Sequence, residues 1–78
     1  MKKRSLKISG HATSISLEPE FWKALENIAQ EEKMSLSALI AKIDQRFSVS
    51  SSRNLASQLR VFVINKLMHE KYTDSLRQ

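Results

Sequence analysis

Apolar positions along this chain change their rhythm once, near Pro19, from a period of two to the period of an α-helix. The first stretch, Ser5 to Pro19 (SLKISGHATSISLEP), alternates as a strand does, but its alternation shifts phase. Leu6 and Ile8 are apolar at even positions, whereas Ile15 and Leu17 are apolar at odd ones, with Gly10 and His11 between them. One uninterrupted strand cannot hold both pairs on one face, which predicts a bulge or break near Gly10, the only glycine of the chain. The regular strand is then 11–18, with Thr13, Ile15 and Leu17 toward the core and the small residues Ala12, Ser14 and Ser16 away from it. Nothing else in the sequence reads as a strand, so its main-chain groups need a partner from outside. The pattern predicts an antiparallel ribbon with a second copy of the chain, Ser14 lying at or beside the two-fold axis, and residues 1–10 forming a basic arm.

Three helices follow. The first, 19–33, opens on Pro19, whose missing N–H costs nothing at the first helical position, and buries Phe21, Trp22, Leu25, Ile28 and Ala29. The second, 35–47, starts on Ser35 as N-cap and carries Leu36, Leu39, Ile40, Ile43 and Phe47 at helical spacing. Only two or three residues separate the two, so they are adjacent and cross sharply. The polar stretch 48–54 (SVSSSRN) reads as a loop. The third helix, 53–70, capped by Ser52 or Asn54, bears Leu55, Leu59, Phe62, Val63 and Leu67, with Val61, Ile64 and Met68 beside them. Its middle is apolar on most sides, which implies more than one packing neighbour, and the tail after His69 loses the pattern. Asp44 and Arg60 fall among apolar residues of the second and third helices and are expected to pair with each other, the alternative being that both face water.

Composition narrows the function. Thirteen Lys and Arg against eight Asp and Glu give a net charge of +5, and the pI of about 9.9 makes a polyanion the natural partner. The arm contributes Arg4 and Lys7 as phosphate contacts, and the main-chain amides of Leu36, Ser37 and Ala38 behind Ser35 form an anion site by geometry. The absence of Cys removes disulfides and thiolate metal sites, and the two histidines, His11 and His69, have no acidic cluster at metal-ligand spacing. The serines have no partnered base and there is no glycine-rich phosphate loop, so the reading is of a non-enzyme without cofactor or metal. The longest apolar run, Val61 to Ile64, is too short for a membrane span, and the expectation is a soluble, cytoplasmic protein. The whole of 1–78 is expected to form one domain. Because so small a core buries little, an obligate homodimer is expected, with Ile15, Leu17, Trp22, Leu39, Ile43, Leu59 and Phe62 as its core, of which Ile15, Leu17, Trp22, Leu39 and Phe62 would be wet in a lone chain.

The order of strand, helix, tight turn and helix resembles the ribbon-helix-helix family of DNA-binding proteins, to which the Arc and methionine repressors belong. The segments RSLKISGHATSISLEPEFWKALENIA, LSALIAKID and NLASQLRVFVINKL resemble more narrowly a bacterial subgroup of small members with a third helix. The resemblance implies a mainly α fold with one N-terminal strand and an additional C-terminal helix, the strand paired only in the homodimer. It implies that the ribbon enters the DNA major groove with Ala12, Ser14 and Ser16 toward the bases, while Ser35, Leu36, Ser37 and Ala38 grip a phosphate. Two departures stand out: serine and alanine read bases poorly, and Lys33 occupies a turn position where the family commonly has glycine, at a cost on the order of 1 kcal/mol if its φ is positive. The function so implied is a homodimeric transcriptional regulator bound to double-stranded DNA. The alternatives are an antitoxin-type autoregulator with a protein partner, and a protein-interaction module without sequence-specific DNA binding.

Overall fold

The structure, a computed structural model, describes residues 1–47 and 54–76, and the side-chain surroundings of 1–45 and 54–70. Its elements in chain order are β1 (Lys2–Ile8), β2 (His11–Leu17), α1 (Pro19–Glu31), α2 (Leu36–Phe47) and α3 (Leu55–Leu76). The Ser52 cap and nearly all of the 48–54 loop lie outside the described residues, as does the side chain of Phe47.

The main correction to the sequence reading is at the N-terminus, where residues expected to form an arm form a strand. β1 pairs antiparallel with β2 of the same chain, in the register Lys2↔Leu17 through Ile8↔His11. The strand is therefore not dependent on a second copy for its first partner, and Ser14 lies opposite Ser5. Only Ser9 and Gly10 join the strands, with φ of 52° and 84°, the positive values of a type I′ hairpin turn. A two-residue turn makes paired positions sum to an odd number, so even residues of β1 share a face with odd residues of β2. The phase shift between Leu6/Ile8 and Ile15/Leu17 is thus the signature of a hairpin, and no bulge is needed.

One face of the hairpin lies on the helices. Ile8, Ile15 and Leu17 join Trp22, Leu25, Ile28 and Ala29 of α1, Leu39, Ile40 and Ile43 of α2, and Leu59 and Val63 of α3 in one core. α2 packs against β1 and α3 against β2. The expectation of a wet core in a lone chain is overturned. Ile15, Leu17, Trp22, Leu39, Ile43 and Leu59 are buried within one chain and Phe62 is half-buried, because β1 and α3 supply cover that the sequence reading assigned to a partner. Leu67, expected inside, is instead half exposed.

Each helix boundary has a local cause. Pro19 opens α1, and the Phe21 and Trp22 amides donate to the carbonyl of Glu18 at 3.0 and 3.2 Å. At its far end the Met34 amide donates to Ala29 and the Lys33 amide to Gln30, the paired bonds of a Schellman stop, with Lys33 at φ 58°. Ser35 Oγ accepts from the Ala38 amide at 3.1 Å and caps α2, and Asn54 Oδ1 accepts from the Ser57 amide at 2.8 Å and caps α3. α3 continues to Leu76, past the expected end near residue 70. The segment after His69 loses its apolar pattern but contains no glycine or proline to stop a helix.

Two positive-φ positions are held by side chains that disfavour them. Exchanging Lys33→Gly or Ser9→Asn relieves that strain, and each should raise stability by about 0.5–1 kcal/mol in urea unfolding. A loss of stability in both would contradict the backbone described for the two turns.

Candidate nucleic-acid interface

The outer face of the hairpin follows from its register. The cross-strand pairs Lys3↔Ser16, Ser5↔Ser14 and Lys7↔Ala12 point away from the helices, and all six residues are exposed except the half-buried Ser16. Ser5 and Ser14 touch through their hydroxyls at 3.3 Å. The surface is a low platform of hydroxyls and one methyl with an ammonium toward either end. The sequence reading found Ala12, Ser14, Ser16 and Lys7 but missed that Lys3 and Ser5 share their face. The signal that could have found them was the Ser9-Gly10 dipeptide between two alternating stretches of opposite phase.

Arg4 sits on the other face, opposite Ile15. Its guanidinium lies 5.0 Å from the centroid of the Trp22 ring and makes a 2.6 Å ion pair with Glu26. The structure therefore separates Arg4 from Lys7, which the arm would have kept together. Arg60 likewise has a partner the sequence reading did not foresee. Its Nε donates to Glu18 Oε1 at 3.0 Å, which overturns the expected pairing of Arg60 with Asp44. Glu18 follows β2 directly and is 42 residues from Arg60 in sequence, beyond the reach of any local pattern. Residues 1–17 contain no acid, the outer face carries Lys3 and Lys7, and the carboxylates of Glu18 and Glu26 are each paired with an arginine, so the outer face is electrostatically positive.

At the start of α2, the Ala38 amide is taken by Ser35 Oγ. The amides of Leu36 and Ser37 belong to the first turn, where the helix offers no acceptor, and they keep the anion-facing geometry of a helix N-terminus. Among the described residues no group of three or more His, Asp or Glu is placed to hold a metal ion. No helix among them is long and apolar enough to cross a membrane.

The order and pairing of these elements define a hairpin followed by a helix, a tight turn and a helix, with a further helix behind. The family model described as a ribbon-helix-helix domain matches residues 1–67. The chain belongs to the ribbon-helix-helix family, whose members are typically dimeric, non-enzymatic DNA binders. Among solved structures it is similar to an uncharacterized protein from Bordetella pertussis Tohama I, at 31% identity and a TM-score of 0.79. That match covers 92% of this chain and 59% of the other, so the chain spans less than two thirds of that protein. Comparison with curated proteins finds no match.

Glu18 ties the end of β2 to α3, and its carboxyl is held below the ordinary value of 4.5. The hydrogen bond from its own main-chain amide is the main cause and the bond from Arg60 the next. A carboxyl lowered on folding stabilises the fold above its unfolded value, and the contribution disappears as pH falls through the lowered one. Glu18→Gln should therefore melt below the parent at neutral pH, with the gap closing as pH falls below about 4.5. A gap independent of pH would show that the Glu18 charge does not support the fold.

Proposed function

We propose that the protein is a homodimeric DNA-binding transcriptional regulator that presents the outer face of its hairpin to the major groove. The observation that carries this reading is the composition of that face: small residues on β2, lysines on β1 and no acid. A two-residue turn makes Ile8 and His11 a hydrogen-bonded pair, so the alternate residues Ala12, Ser14 and Ser16 turn their main-chain groups toward the open edge of β2. A second copy completes that edge antiparallel, with Ser14 opposite its own counterpart, and gives the order β1, β2, β2, β1.

Strands spaced about 4.8 Å apart put the outer pair roughly 14 Å from each other, wider than a major groove of about 12 Å. The inner β2 pair therefore fills the groove while the β1 strands ride on its walls. Ala12, Ser14 and Ser16 meet base edges, and Lys3 and Lys7 meet phosphates. Serine donates or accepts indifferently and alanine touches only a thymine methyl, so sequence discrimination is modest and most affinity comes from phosphates. The Leu36 and Ser37 amides add a phosphate contact at α2. Arg4, engaged by Glu26 and Trp22, is left out of this role. The competing reading, an antitoxin-type autoregulator that binds DNA and also a protein partner, draws its support from the exposed apolar residues of α3.

Anisotropy titrations with own-promoter and random duplexes at two salt concentrations separate these readings. Binding should fall steeply with salt. Lys3→Ala with Lys7→Ala should weaken binding to both duplexes alike and flatten the salt slope by roughly one to two units per chain. Ser14→Glu, shown to remain dimeric with unchanged melting, should abolish binding. If the Ser14→Glu protein bound DNA as the parent does, the ribbon would not lie in the groove.

A further inference from the structure

Much of α3 is apolar on the side turned away from the core. Leu59 and Val63 are buried and Phe62 is half-buried, which accounts for one side of the helix. On the other side Ile64, Leu67 and Met68 are 46%, 52% and 63% exposed, with half-buried Val61 one turn before them. Positions 61, 64 and 68 stand at the i, i+3, i+7 spacing of a single helix face. Near its N-terminal end this face opens into a shallow depression bordered by Phe21, Arg60, Val61, Ile64 and Asn65. Single exposed apolar residues need no explanation, but a contiguous row on one helix face marks an interaction surface.

We infer that this face of α3 is the apolar half of the dimer interface, and that its occupant is the same face of a second copy. The inference rests on the homodimer proposed above and adds the surface that stabilises it. Placement is the first argument. α3 is the helix that packs against β2, while α2 lies against β1, so α3 lies beneath the strand whose outer edge meets the second copy in the dimer proposed above. Arg60, at the start of the row, is bound to Glu18 at the end of β2 and fixes the helix there. A two-fold axis that joins β2 to β2 brings α3 beside α3, with Ile64 near the middle of the row.

Size is the second argument. An edge seven residues long contributes main-chain hydrogen bonds, but Ala12, Ser14 and Ser16 bring little apolar area to it. A stable interface buries about 800 Å² on each partner, which the strand edge does not reach without a second, apolar surface.

The test uses sedimentation and cross-linking of the full chain. Ile64→Glu with Leu67→Glu changes two exposed residues, so folding, checked by circular dichroism, should be retained while dimer dissociation rises at least about tenfold. The natural sequence has no Cys, so Ile64→Cys supplies the sole thiol. It should form a disulfide-linked dimer on mild oxidation, much faster than the exposed control Lys23→Cys. Unchanged dimerisation of the folded double variant would overturn the inference, as would equal cross-linking of the two thiol variants or a parent that stays monomeric at every concentration. DNA titration of the parent keeps the two proposals apart. A dimer that binds DNA but ignores the α3 substitutions defeats only this inference, and a dimer that depends on α3 but does not bind DNA defeats only the earlier one.

Discussion

Trp22 holds the N-terminal strand in place, and the geometry of the ribbon depends on that hold. Its indole N–H donates to the carbonyl of Lys2 at 2.8 Å, its ring is 1% exposed in the core, and Arg4 covers it at 5.0 Å. A two-stranded hairpin is marginal by itself in water. Here the side chain of the fourth residue of α1 reaches back across 20 residues and fixes the far end of β1, while the Ser9-Gly10 turn fixes the near end. Arg4 adds to the hold because Glu26, one turn beyond Trp22 on α1, orients its guanidinium. A segment of four cations that would fray as a free arm is thereby made part of a sheet.

That constraint decides which charges are available to a polyanion. With β1 locked in register, alternation sends Arg4 inward and Lys3 and Lys7 outward, on the face shared with Ala12, Ser14 and Ser16. A flexible arm would offer its cations in any direction and lose entropy on each encounter; a pinned strand presents two of them at fixed spacing. The same pinning fixes the two outer edges of the hairpin, and α3, packed against β2, carries the exposed apolar row. Strand edge, basic face and apolar helix face are consequences of one arrangement.

The helices were largely legible in the sequence because their signals are local. Pro19, Ser35 and Asn54 mark starts through their own main-chain chemistry, and the buried positions of α1 and α2 recur at helical spacing. Lys33 was recognisable as the strained turn residue through the family resemblance, which commonly puts glycine there, and its φ of 58° bears this out. The first strand was not legible in the same way. Its composition suggests a solvated basic terminus, and the phase shift at Gly10 admits a bulge or a hairpin; the second becomes compelling only once Trp22 is known to reach Lys2. Arg60 fails for a related reason, since its partner Glu18 is set by the docking of α3 on β2 and not by either residue's neighbours. The outward-facing set was incomplete for the same cause, because Lys3 and Ser5 join it only through the pairing of β1.

The pairing of β1 with its own chain is therefore the point on which the account turns, and a mixed-label NMR experiment addresses it directly. In an antiparallel hairpin the pairs Lys3↔Ser16, Ser5↔Ser14 and Lys7↔Ala12 are the non-hydrogen-bonded ones, with Cα atoms roughly 4.5 Å apart and close Hα contacts. In a sample of labelled and unlabelled chains refolded together, cross-strand Hα contacts for these three pairs should appear within labelled chains and be absent from the spectrum filtered for contacts between labelled and unlabelled ones. Their appearance between chains would contradict the account, because β1 would then complete a partner's sheet and Trp22 would not be pinning its own strand.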